Sequence, residues 1–118
     1  MADTATTNRG EWARLLDDLT KEHEGDYVTI ELLDPTYGDQ YEAERLPFAY
    51  ITYDYRDDAV IVAVGGTTPR FPVVLRHIVS HPADVNVATG QGVDAAARVV
   101  DTNGTTTLVT FFPPPAPS

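Results

Sequence analysis

The sequence predicts an α+β domain in which one N-terminal helix packs on a curved, mostly antiparallel β-meander of about six to eight strands. Three observations predict it. Apolar residues recur at helical spacing near the start of the chain, at Trp12, Leu15, Leu16 and Leu19. From Tyr27 to Phe112 the chain reads as one strand after another, beginning with apolar residues at every second position, as a half-buried strand requires. Short clusters of Gly, Pro, Asn and Asp interrupt that stretch at close intervals, each a signal for a turn.

The helix is expected from about Arg9 to His23. Asn8 followed by Glu11 fits a capping box, and Gly25 stands where a helix end favours a left-handed residue. Its apolar stripe should be buried against Val28, Ile30, Val60, Val62 and Val64, while Arg14, Asp17, Asp18, Lys21 and Glu22 stay in water. The first strand alternates Val28, Ile30 and Leu32 with Thr29 and Glu31, and Pro35 to Asp39 turns it back into Gln40 to Arg45. Leu46-Pro47-Phe48 breaks or bulges the ladder because proline lacks an N–H. Ala49 to Tyr55 follows, with Phe48 and Tyr50 assigned to one face and Ile51, Tyr53 and Tyr55 to the other. Beyond the Arg56-Asp57-Asp58 turn, Ala59 to Val64 is apolar on both faces and belongs in mid-sheet.

Gly65 to Pro72 reads as the longest loop of the domain. Val73 to Val79 favours a strand through its β-branched residues, with a helix left open by periodicity. A short strand is expected at Val85 to Ala88. Asn103-Gly104 reads as a two-residue type I′ turn, which sets Val99 opposite Leu108 and Arg98 opposite Val109. The domain organisation is then a flexible Met1 to Thr7, a single domain over 8–112 and a Pro-rich disordered tail over 113–118.

Composition narrows the function. The 118 residues carry 18 Asp and Glu against 8 Lys and Arg, a formal net charge of −10. The seven arginines are scattered among acids, so the basic patch that phosphate binding needs is missing and nucleic acid is not an expected partner. The same field repels an anionic membrane. Lys21 is the only lysine, a bias that fits either a G+C-rich genome or a salt-rich cytoplasm of a halophile. The chain has no Cys, which excludes disulfides, thiolate zinc sites and Cys nucleophiles. With no apolar leader in the first residues and no membrane-length apolar run, a bacterial or archaeal cytoplasm is the expected location.

No segment announces chemistry. His77 and His81 would approach one metal ion on a helix, but on a strand they stand about 13 Å apart, and neither a metal nor a cofactor is expected. Arg76 and His77 are adjacent on an expected strand, so they point to opposite faces. Asp57-Asp58, Asp17-Asp18 and Glu42 with Glu44 fall in turns or on solvent faces and read as solvated charge. Gly65-Gly66-Thr67-Thr68 lacks the Lys-Ser/Thr ending of a phosphate loop. Tyrosines at 37, 41, 50, 53 and 55 suit either core packing or a contact surface.

Arg9-x-x-Trp12, His23-Glu24-Gly25-x-x-Val28-Thr29-Ile30-Glu31, Leu46-Pro47-Phe48-x-x-Ile51, Arg76-His77-Ile78-x-x-x-Pro82 and Asn103-Gly104-Thr105 together resemble a family of small bacterial proteins, domain of unknown function 5335. The resemblance runs from about Arg9 to Phe111. It implies a single cytoplasmic domain and brings no activity or catalytic residue, and His77 and Glu24 are the polar positions it singles out.

The expected role is a non-catalytic cytoplasmic interaction module, with a protein partner or a second copy forming a homodimer. The alternative is a small-ligand-binding protein or cryptic hydrolase. It would use a groove near Arg76 and His77, with the Gly65 to Pro72 loop as a lid. The ligand-contact candidates are Arg76, His77, Tyr53 and Tyr55.

Overall fold

The structure, a computed structural model, describes residues 2–6, 9–68, 71–89 and 95–114. One helix, α1 (Arg9–Glu22), lies between strand β1 (Ala2–Thr6) and seven further strands. These are β2 (Tyr27–Asp34), β3 (Gly38–Asp54), β4 (Ala59–Thr68), β5 (Phe71–Ser80), β6 (Pro82–Thr89), β7 (Ala96–Asp101) and β8 (Thr106–Phe112). They form one open antiparallel sheet in the order β1-β6-β7-β8-β2-β3-β4-β5.

That order explains the curvature. His81 alone separates β5 from β6, yet β5 ends the sheet and β6 lies next to its opposite end. One residue spans this gap only if the sheet curls until its two ends approach. His81 turns the corner with φ 54, and across the interior His77 Nε2 on β5 lies 3.2 Å from Thr107 Oγ1 on β8. The concave side encloses the core, which joins Trp12, Leu16 and Leu19 of α1 to Val28, Ile30, Val60, Val62 and Val64 as expected. Leu15, assigned to the same stripe, is only half-buried.

β3 is 17 residues long and serves two neighbours in turn. Its first half pairs with β2 as far as Pro47, and its second half pairs with β4 from Phe48 to Asp54. Leu46-Pro47-Phe48 is therefore a bend within one strand. Arg45 has φ 50 there, and the Phe48 amide bonds the Asp26 carbonyl at 2.9 Å. A register shift between Phe48 and Tyr50 swaps faces, so Phe48 joins Ile51 and Tyr53 in the core. The face assignment from simple alternation is corrected accordingly.

Where β2 diverges, the free side of β3 is covered by α1. Thr20 Oγ1 lies 2.8 Å from the Ile51 carbonyl oxygen and accepts the Ile51 amide at 3.1 Å. A helix side chain here does the work of a missing strand.

Three further expectations change. Ala2–Thr6, assigned to a flexible start, pairs with β6 from Thr6↔Val85 to Ala2↔Thr89, because β6 would otherwise leave that side of its backbone open. Gly65 to Pro72 is not a long loop. Gly65 has φ 118, and the register shifts on either side of it, from Val64↔Leu75 to Gly65↔Val73 and then to Thr68↔Phe71, so pairing continues through the segment; residues 69–70 lie outside the described residues. Val73 to Val79 belongs to a strand, as its β-branched residues predict.

In the β7–β8 hairpin, Arg98 pairs with Leu108 and Val99 with Thr107, one step from the expected register. Gly104 alone takes a positive φ, 85, in a three-residue loop closed by the Asp101 amide on the Thr105 carbonyl at 3.0 Å. Asp101 Oδ1 accepts the amides of Asn103 and Thr105, and this side-chain bonding selects a type I turn with a glycine bulge over the I′ turn. The Asn8 cap and Pro tail positions 115–118 lie outside the described residues.

Candidate functional site

Four segments distant in sequence meet at Asp58. It sits in the turn between β3 and β4, where an aspartate tolerates the left-handed φ of 48 better than most residues. Tyr53 donates its hydroxyl to Asp58 Oδ1 at 2.7 Å, and Arg9 Nε donates to the same oxygen at 3.1 Å. His81 Nδ1 lies 3.4 Å from Oδ2, and the His81 amide bonds the Asp58 carbonyl at 2.8 Å. Arg9 also donates to the Pro82 carbonyl at 2.9 Å, and the Thr102 amide bonds the His81 carbonyl at 3.1 Å. Among the described residues, Asp58 and His81 are two of three non-glycine positions with positive φ, a strain that such bonding must hold in place.

The electrostatics follow from these contacts. The Tyr53 hydroxyl, and then Arg9, hold the Asp58 carboxyl below its ordinary range. Burial, followed by the neighbouring carboxylate, pushes the Tyr53 phenol up. Asp58 raises the Arg9 guanidinium further. Beneath the cluster, Arg9 stacks over Trp12 at 4.9 Å and Trp12 meets Tyr53 edge-on at 5.2 Å. The arrangement keeps Asp58 ionised and fastens the helix start, the β3–β4 turn, the β5–β6 corner and the β7–β8 turn together. It works as a clasp.

The four expected contact residues are not brought to one place. Tyr53 belongs to the clasp, whereas Tyr55 lies in the adjoining turn, 74% exposed, with Arg56 stacked at 6.0 Å. Arg76 points outward and donates to the Tyr50 hydroxyl at 3.1 Å. His77 points inward to the buried Thr107, and burial lowers its pKa against a smaller opposing effect of Glu42. No group of three or more His, Asp or Glu placed to hold a metal ion occurs among the described residues.

A second polar pair closes the other end of the helix. His23 Nδ1 lies 2.8 Å from Asp26 Oδ2, and its ring stacks on Phe111 at 4.0 Å. The carboxylate fixes the proton on Nδ1, which leaves Nε2 a buried atom without a hydrogen-bond partner. Three surface hollows of about 270, 390 and 230 Å³ are lined by other residues. The largest of the three holds Arg45, stacked at 3.9 Å over Phe112.

Asp58, Arg9, His81 and Thr20 carry this architecture, and their roles were not assigned from the sequence. By sequence Asp58 is one of many turn acids, distinguished only by its place directly before a buried strand.

The fold and its clasp define a small α+β protein with a curled open sheet plugged by one helix. The chain belongs to the family of unknown function DUF5335, whose model matches residues 3–117. It is similar to an uncharacterized protein of Aquifex aeolicus (strain VF5), 27% identical over 110 residues that cover 93% of each chain. No solved structure matches it. No helix among the described residues is long and apolar enough to cross a membrane.

Proposed function

We propose that this chain is a non-catalytic, cytoplasmic interaction module whose ligand is a protein, either another chain or a second copy of itself. The observation that carries this reading is the open sheet. Strands β1 and β5 end the order, and an end strand presents a row of backbone donors and acceptors to any segment that can add to it. The placement of the polar groups supports the same reading. Asp58, Tyr53 and Arg9 bond one another across turns, and His77 meets the buried Thr107.

Small-ligand binding at Arg76 and His77 has less support, because the two side chains point to opposite faces and the segment expected to form a lid is largely paired strand. Two measurements separate the readings. Affinity capture and light scattering should detect a protein partner or a dimer. A thermal-shift screen of metabolites and divalent ions should stay flat, since a ligand present at 100 times its Kd would add about 2.7 kcal/mol. A clear shift with no protein association would replace this reading with ligand binding.

A further inference from the structure

We propose that β5 is the edge through which two copies of this chain pair, antiparallel and about a two-fold axis at Ile78. The inference rests on the association reading above and specifies its surface. Among the described residues, β5 pairs with β4 on one side and with no strand on the other. Its ten residues, Phe71 to Ser80, include no acid, in a chain that carries 18. Two copies of net charge −10 repel least where neither brings a carboxylate.

The side chains favour a second copy over another strand. The outer face of β5 carries Arg76, Ile78 and Ser80, all exposed. Ile78 is the exposed large aliphatic side chain of the described residues, at 55%, beside the half-buried Ile61 and Thr52 of the next two strands. Directly opposed residues of an antiparallel pair point to the same face. An axis at Ile78 therefore sets the two isoleucines side by side and removes both from water. It also places Arg76 opposite Ser80 of the other copy. Moving the axis to Arg76 would oppose two guanidinium groups, and moving it to Ser80 would leave Ile78 with no β5 residue opposite it, since β5 ends at Ser80. The two-fold arrangement is the commonest form of association between identical chains.

The chain has no cysteine, so single introduced thiols report the register cleanly. In Ile78→Cys the paired Cβ atoms would stand about 4.5–5.5 Å apart, close to the spacing a disulfide closes. In Ser80→Cys the same register separates the two thiol-bearing positions by about 14 Å along the strands. Mild oxidation should convert most of Ile78→Cys, and little of Ser80→Cys, to a covalent dimer. Ile78→Lys should be monomeric at concentrations where the native chain is dimeric, with an unchanged far-ultraviolet spectrum. Equal cross-linking of the two cysteine variants, or a dimer that persists in folded Ile78→Lys, would overturn the β5 interface while leaving association in place. A native chain that is monomeric at every concentration would overturn this interface too, and association would then rest on capture of a different protein.

Discussion

The Thr20 hydroxyl lies 2.8 Å from the carbonyl oxygen of Ile51 and 3.1 Å from its amide nitrogen. It meets both backbone groups of a strand residue that has lost its neighbour. The same oxygen is 2.9 Å from the Leu16 carbonyl, so its single proton serves one of two acceptors while its lone pair holds the Ile51 amide. Helix and sheet are thus joined by backbone bonding as well as by burial.

Thr20→Val keeps the shape and removes the hydroxyl, leaving the Ile51 amide without its acceptor. Chemical denaturation should show a loss of about 1–3 kcal/mol, and Thr20→Ser should recover most of it. Equal stability of the valine and native chains would show that water satisfies Ile51 instead.

Trp12 is fully buried and contacts Tyr53 edge-on. Trp12→Ala should cost about 3–5 kcal/mol. A variant that melts within a couple of degrees of the native chain would mean that α1 does not hold the core.

Asp58 gives the clasp a pH dependence. Its folded carboxyl titrates below the ordinary value near 3.8, so its contribution is complete above that value and is lost as pH falls through the lower, folded one. Asp58→Asn should therefore melt below the native chain at pH 7, and the gap should close as acid is added. A gap that stays constant down to the acid transition would remove the charge from the explanation.

His77 is a base that burial keeps neutral, and its window is different. Burial lowers its pKa from 6.5, so below that pH the unfolded chain takes up a proton that the folded chain resists. Stability should fall as pH drops from about 6.5 toward the lowered value. In His77→Gln, denaturation midpoints between pH 7 and 5 should decline less steeply. Identical slopes would show that His77 is not the group responsible.

Much of the fold was legible because its signals are local. Trp12, Leu16 and Leu19 announce one buried helix face, and alternation, β-branched runs and turn residues together announce strands from β2 to β8. The errors arose where one side chain or one glycine overruled a local pattern. Asp101 drew the amides of Asn103 and Thr105 onto its carboxylate and changed the hairpin register, while register shifts on either side of Gly65 carry strand pairing through a segment expected to be a loop. The register shift between Phe48 and Tyr50 put Phe48 on the core face with Ile51 and Tyr53. The clasp was beyond local reading, since Arg9, Tyr53, Asp58 and His81 meet only after the sheet has curled.

Salt probes the acid excess. Among the described residues the arginine–carboxylate pairs are Arg9 with Asp58 and Arg14 with Asp18, few against a formal net charge of −10. The melting temperature should climb from near-zero to physiological ionic strength, where the Debye length falls to about 8 Å. A flat or falling curve would show that repulsion among the acids is negligible.

Light scattering of the native chain over a range of protein and sodium chloride concentrations tests association most directly. The mass should rise from 12.9 kDa toward twice that value with concentration, and more readily at physiological than at near-zero salt, because screening weakens the repulsion between two acidic chains. A mass of 12.9 kDa at every concentration and salt, with no protein captured by the chain, would contradict the interaction module.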